Sequence, residues 1–163
     1  MKQKLILGFF LSVIIFPIFG QDYIKVIKPV VNIRFNPSTS ANIVAQAEND
    51  NVFELKNEKN GWYEITMFSG EYRYIHKSVC EKTNYNLVLT DNVQLKKTVF
   101  KALGNIEDKA QSDADKKYPT DFSRNIDYFR LLCDKYKLEI MNKYKFQPPT
   151  YSKLILEGVK KNW

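Results

Sequence analysis

The side chains with the strongest chemistry in this sequence are one histidine and two cysteines. His76 stands four residues before Cys80, and a thiol beside an imidazole is the minimum for a nucleophilic thiol. An activated thiol also needs a lowered pKa, which the start of a helix supplies in many enzymes. No helix start precedes Cys80, and no second histidine follows. We therefore predict that His76 is a structural residue at a strand end and that the chain is not an enzyme.

The sequence also lacks the motifs of metal sites and of phosphate-binding loops. One histidine and two widely separated cysteines do not make a zinc-ligand pattern. The run 113–115 (Asp-Ala-Asp) lacks the glycine and the distal glutamate of a calcium loop. Neither G-x-x-x-x-G-K nor G-x-G-x-x-G occurs. The sequence predicts no metal site and no cofactor.

The two cysteines are also a candidate disulfide. In an oxidising compartment, Cys80 and Cys133, one in each half of the chain, are a candidate for one structural bond. That bond would close a loop of about 53 residues and stabilise the fold by about 3–4 kcal/mol. The alternative is two buried free thiols that pack as small apolar side chains. The sequence leaves both open.

Residues 1–20 have the composition of a secretory signal peptide. Lys2 and Lys4 precede an apolar run at 5–16, and Gly20 stands at a small-residue cleavage position. The run has about 12 residues, whereas a membrane span needs about 20. We expect cleavage near Gly20, no transmembrane segment afterwards, and a secreted or periplasmic protein of the cell envelope. An uncleaved N-terminal anchor is the alternative.

Charge divides the remaining chain into two parts. Residues 23–81 carry seven basic and seven acidic side chains, whereas residues 82–163 carry 16 basic and 10 acidic ones. A basic region favours anionic partners. For an exported protein these are wall polymers, headgroups or acidic proteins, and we expect no nucleic acid. The alternative is a solvated helix surface, because lysines and aspartates alternate along it.

The first part is predicted to consist of short strands. Alternating apolar and polar residues form runs that turn residues interrupt about every 8–12 residues. An Asn60-Gly61 pair marks a hairpin. The density of turns favours a small β-barrel over a sandwich. The predicted strands lie at 23–28, 31–35, 43–47, 52–56, 62–67 and 72–75.

The second part has the three- and four-residue apolar spacing of helices. One helix is predicted over 93–106, and 108–117 is either its exposed continuation or a link. A strongly amphipathic helix is predicted over 121–145. Thr150 or Ser152 begins a short last helix. The fold class is therefore α+β, a small barrel followed by about three C-terminal helices, with domains at 23–82 and 83–163.

Three motifs in the strand region resemble the bacterial SH3 (SH3b) domain family. They match the family patterns L-N-V-R-x-x-P-S, G-W-Y-x-V and G-W-V-H-x-x-Y-L, although Arg73 and Tyr74 replace the glycine and tryptophan of the last one. The resemblance implies an SH3-like barrel that binds peptides or cell-wall material. The motifs are Val31-Asn32-Ile33-Arg34-Phe35-Asn36-Pro37-Ser38, Gly61-Trp62-Tyr63-Glu64-Ile65 and Arg73-Tyr74-Ile75-His76-Lys77-Ser78-Val79-Cys80.

Aromatic side chains on the last two predicted strands are the candidate ligand contacts. Successive strand residues point to opposite faces, so Tyr63 is predicted to lie in the core and Trp62 to be exposed. SH3-type barrels hold extended ligands in aromatic grooves, and the resemblance implies that Arg34 lies near these rings. The predicted ligand-binding residues are Trp62, Tyr72, Tyr74 and Arg34. The alternative is that half of these rings fill the core.

Together these observations favour an exported, non-catalytic binding protein. Its SH3b-like barrel would recognise a peptide or a peptidoglycan or other cell-wall component. The alternative is a structural or interaction protein. In that case the barrel would be a scaffold, and the basic helical region would dock another envelope protein.

Overall fold

The computed structural model describes residues 22–163, which form a β-rich unit followed by helices. The predicted signal peptide at 1–20 lies outside the described residues. The α+β fold class is confirmed. The strands are β1 (Tyr23–Val26), β2 (Val30–Arg34), β3 (Ile43–Glu48), β4 (Val52–Lys59), β5 (Trp62–Thr66), β6 (Tyr72–His76) and β7 (Cys80–Thr83). The helices are α1 (Val93–Gly104), α2 (Ile106–Lys117), α3 (Phe122–Lys143) and α4 (Tyr151–Lys160).

All seven strands join one antiparallel sheet in the order β3-β2-β6-β5-β4-β1-β7. Buried side chains from every strand meet in one cluster, so the sheet curls around a single core as in an SH3-like barrel. The curl is not closed, because β3 and β7 share no ladder within residues 22–163. Leu138 of α3 belongs to the same core cluster.

The hairpin between β4 and β5 fixes the register of the strands that follow. Asn60 and Gly61 have φ values of 51° and 83°, and Lys59 pairs with Trp62 across this two-residue turn. Two consecutive left-handed residues are what a tight hairpin with right-handed strand twist requires. The hairpin predicted from the Asn-Gly pair is confirmed.

The helical region has four α-helices where about three were predicted. α1 ends at Gly104, and α2 begins two residues later, so the segment that was expected to continue a helix or form a link is a separate helix. Ala110 and Ala114 of α2 are fully buried, and α2 packs along α3. Small side chains anchor this helix where the sequence offers no large ones. Within residues 22–163, none of the helices is both long enough and apolar enough to cross a bilayer.

The helical region packs on the β-sheet. α3 contacts β3, and the single-turn helix at Pro148–Thr150 contacts β4. The side-chain oxygen Oε1 of Gln147 accepts a hydrogen bond of 2.9 Å from the backbone N–H of Val52. Leu138 in the core of the sheet adds to these contacts. The strand region and the helical region therefore share a buried interface.

Candidate functional site

All four predicted ligand-binding residues project to one outer face of the sheet, but Trp62 is buried there. Arg34 of β2 pairs with Tyr74 of β6, and Tyr74 pairs with Glu64 of β5. Residues directly opposite each other in an antiparallel pair project to the same side. Tyr72 shares this side because it lies two residues from Tyr74. We call these four residues, Arg34, Glu64, Tyr72 and Tyr74, the aromatic face.

Hydrogen bonds hold Tyr74 and Arg34 of the aromatic face in place before any ligand arrives. The hydroxyl of Tyr74 donates to Oε1 of Glu64 at 2.6 Å, and this bond raises the pKa of Tyr74 above its usual value. Nη1 of Arg34 donates to the carbonyl oxygen of Ala41 at 2.6 Å. Tyr72 is half exposed, at 50%. Rings and a guanidinium held in place lose little conformational entropy on binding.

Trp62 does not have the predicted exposure. Its side chain is 7% exposed, and its ring lies edge-on to the ring of His76, with centroids 5.0 Å apart. The two residues pair directly across β5 and β6, so the ring of His76, itself exposed, covers part of Trp62. The expectation that Tyr63 and Ile65 face the core is correct, since both are buried. The prediction for Trp62 was wrong because a side chain on the outer face can also be buried, here in part by the neighbouring ring of His76.

His76 and Cys80 have separate structural roles and do not interact as a pair. Nδ1 of His76 lies 2.8 Å from the hydroxyl oxygen of Ser78 and accepts the backbone N–H of Ser78, which caps the short helical turn at Lys77–Val79. Cys80 belongs to the sheet's core cluster, and burial raises its pKa to about 12. A thiol with such a pKa is protonated at neutral pH and is not an activated nucleophile.

The candidate disulfide between Cys80 and Cys133 is not formed. Both are free thiols, and they lie in different clusters. Cys80 packs in the core of the sheet, whereas Cys133 packs with Ala110 and Leu132 between α2 and α3. Burial raises the pKa of Cys133 to about 11. The alternative of two buried thiols describes this structure.

Sequence reasoning missed a large cleft between β3 and α3. Its volume is about 970 Å³. Arg73 lines it because this residue alternates with Tyr74 along β6 and therefore points away from the aromatic face. The available signal was Arg73 itself, a charged residue in the inward register of Ile75 where the SH3b pattern has glycine. The cleft could not be foreseen, because its two walls are β3 and α3, and α3 begins 74 residues after β3 ends.

Comparison with known proteins identifies part of the chain. Residues 29–80 match the family model described as bacterial SH3 domain, which confirms the resemblance over that segment. A crystal structure of an NlpC/P60 family protein from Bacillus cereus ATCC 10987 is similar at 16% identity and a TM-score of 0.35. The similarity covers 49% of this chain and 27% of that one, so the chain spans about a quarter of that protein's length. A likeness at this level supports no statement about function. No curated protein matches the chain.

Proposed function

We propose that the bacterial SH3 domain at residues 29–80 makes this chain a non-catalytic binding protein of the cell envelope. The domain recognises a peptide or a peptidoglycan or other cell-wall component. Export by the predicted signal peptide brings it to that compartment. Because one fold serves many functions, the proposal depends on the surface that the domain carries, and that surface is the aromatic face.

The observation that supports this function is the meeting of Arg34, Tyr72 and Tyr74 on one outer face. Flat rings offer a large contact area for extended or cyclic ligands at small entropic cost. A guanidinium binds carboxylate in a two-pronged geometry. A wall peptide or a sugar–peptide fragment presents both apolar surface and carboxylates. The aromatic face therefore has the chemistry to hold such a ligand without reacting with it.

Retention of the chain lacking residues 1–20 on purified peptidoglycan tests this function. We expect the native chain to sediment with the wall and the Tyr72→Ala/Tyr74→Ala variant to lose at least tenfold in affinity. Phe122→Ala is the matched control, since Phe122 is an 80% exposed ring outside the aromatic face. This control should be retained like the native chain. If the native chain stayed in the supernatant, the proposal that it binds the cell wall would be wrong.

Export is tested separately. The mass of the protein recovered outside the cytoplasm should correspond to a chain that begins near Gln21. A full-length mass would favour the uncleaved anchor.

A second function has a specific observation in its favour. The cleft between β3 and α3 lies where the helical region meets the sheet, and α3 contributes much of its lining. This arrangement suits an interaction protein in which the sheet is a scaffold and the basic helical region helps to dock a protein partner.

A further inference from the structure

β3 is an edge strand that borders the cleft. It pairs with β2 on one side, and on its other side the described part of the chain places no strand. An edge strand has backbone N–H and C=O groups that point outward and can pair with another chain. Natural edges are usually blocked by lysine, proline or a bulge at their centre. The stretch Ile43–Ala47 has no charged residue and no proline. Its one irregularity, at Val44, lies near the start of the strand and not at its centre.

The dimensions of the cleft fit one extended peptide. All six residues of β3 line it, and six strand residues span about 20 Å. The opposite wall is α3, whose lining residues run from Arg124 to Lys143, about 28 Å along a helix. Exposed apolar side chains lie at the sheet side of the cleft. They are Val30, Phe35 and Ile43.

The lining of the cleft has more basic than acidic side chains. Five basic and three acidic side chains line it. Ion pairs involve both signs: Glu48 pairs with Lys145 at 3.1 Å and Glu139 lies 4.0 Å from Lys135. Arg124 lies 3.3 Å from Asp121 and Arg73 lies 3.8 Å from Glu71. The lining itself keeps an excess of two basic side chains. The surplus favours an anionic occupant. The basic residues are Arg73, Lys117, Arg124, Lys135 and Lys143, and the acidic ones are Glu48, Asp127 and Glu139.

Arg73 is the deepest charge in this lining. It is 6% exposed, and its guanidinium lies over the ring of Phe35 at 4.9 Å. Nη1 donates to the carbonyl oxygen of Tyr72 at 2.7 Å and lies 3.8 Å from a carboxylate oxygen of Glu71. Nε is buried and has no hydrogen-bond partner among residues 22–163. The carboxylates of Glu71 and Asp134 are both close enough to interact with this charge, but a buried N–H without an acceptor is still costly. An anionic group bound in the cleft would lower that cost.

We propose that this cleft binds an acidic peptide in an extended conformation. The peptide pairs with β3 as an added strand of about six residues, and its carboxylates face Arg73 and the basic side chains of α3. Alternate apolar side chains of the peptide rest on Phe35 and Ile43. The inference extends the docking function given as the second candidate above. It is independent of wall binding at the aromatic face.

The probe is a capped hexapeptide of alternating valine and glutamate, titrated into the chain lacking residues 1–20. Hydrogen exchange of the backbone amides of residues 43–48 is followed with and without the peptide. We expect saturable binding and at least tenfold slower exchange at the outward-pointing amides of this strand. A peptide with lysine in place of glutamate should bind at least tenfold more weakly. Absence of binding, or binding without protection in 43–48, would overturn the proposal.

Charge reversal separates the cleft from general attraction to a basic protein. Arg124→Glu/Lys135→Glu changes two exposed cleft residues, and we expect at least a tenfold loss of affinity for the acidic peptide. Lys101→Glu/Lys160→Glu is the matched control, because it makes the same change in net charge at exposed positions outside the cleft. The control should bind within twofold of the native chain. An equal loss in both variants would overturn the proposal.

The Tyr72→Ala/Tyr74→Ala variant distinguishes the two binding functions. It should lose retention on peptidoglycan and keep native affinity for the acidic peptide. The opposite pattern should hold for Arg124→Glu/Lys135→Glu. Loss of both activities in either variant would contradict the claim that the two surfaces act independently.

Discussion

Asp134 of α3 accepts two hydrogen bonds from Ser69, which lies in the turn between β5 and β6. The backbone N–H of Ser69 donates to Oδ1, and its hydroxyl donates to Oδ2, each at 2.7 Å. Asp134 is 2% exposed. This pair joins the helical region to the hairpin whose second strand carries Tyr72 and Tyr74, so it helps to set the position of α3 relative to both candidate binding surfaces.

Removing the Asp134 carboxylate should destabilise the protein. Asp134→Ala removes the acceptor of both hydrogen bonds from Ser69, and two lost hydrogen bonds cost about 1–3 kcal/mol. Ser69→Ala is the control, since it removes one bond and keeps the backbone one, at an expected cost of about 1 kcal/mol. Urea denaturation measures both. Equal stabilities for Asp134→Ala and the native chain would show that the pair does not hold α3 in place.

The same carboxylate should make stability depend on pH. Burial raises the pKa of Asp134, although the bonds from Ser69 and the charges of Arg73 and Lys137 act in the opposite direction. The folded protein therefore binds a proton more readily than the unfolded chain, and this contribution to stability falls as pH rises above the ordinary aspartate pKa of about 4. Asp134→Asn removes it.

The measurement is the free energy of unfolding of Asp134→Asn minus that of the native chain, taken at several pH values. This difference should shift in favour of the variant as the pH rises above the ordinary aspartate pKa of about 4. A difference that is independent of pH, or that moves in the other direction, would contradict the raised pKa.

Gly158 is expected to be intolerant of a side chain. A Cβ placed there would lie 2.2 Å from Cδ2 of Phe100, so the Phe100 ring would have to leave its position or α1 and α4 would have to separate. Overpacking of this kind costs about 1–3 kcal/mol, which exceeds the helix-propensity gain of about 1 kcal/mol from glycine to alanine. Gly158→Ala should therefore lower the melting temperature.

Gly104 provides the matched control for Gly158. A Cβ on Gly104 meets no atom within 4 Å, so Gly104→Ala should be neutral or slightly stabilising. If Gly158→Ala were as stable as Gly104→Ala, the close approach of α1 and α4 would be wrong.

The two thiols should be unreactive in the folded protein. Burial raises the pKa of Cys80 to about 12 and that of Cys133 to about 11, so little thiolate is present at pH 8. We expect slow reaction with iodoacetamide under native conditions and rapid labelling of both residues in guanidinium. Mass mapping of unreduced protein that finds Cys80 and Cys133 joined would refute the free-thiol arrangement.

Local features of the fold follow from the sequence, and long-range ones do not. The Asn60-Gly61 hairpin and the inward alternation of Tyr63 and Ile65 depend on neighbouring residues and backbone preference, so they could be predicted. The burial of Trp62 depends on a partner in the next strand, and the anchoring of α2 by Ala110 depends on where α3 lies. These positions are determined by packing between distant segments, and the apolar periodicity of one segment carries no information about that packing.

The candidate site also has a part that could be predicted from local sequence and a part that could not. The outer placement of Tyr72 and Tyr74 follows from alternation along β6, and Arg34 joins them through the pairing of β2 with β6. The cleft has walls from β3 and α3, and neither segment alone carries a sign of it. Arg73 was visible as a departure from the SH3b pattern, but its incomplete hydrogen bonding appears only when the fold is known.

The central claim is that the aromatic face holds a wall fragment. Amide chemical shifts of the isotope-labelled chain during titration with a soluble disaccharide–peptide fragment of peptidoglycan test it most directly. The account predicts saturable shifts that are largest at the amides of Arg34, Tyr72 and Tyr74, with small changes at residues 43–48. Absence of shifts, or a footprint that leaves β2 and β6 unchanged, would contradict it.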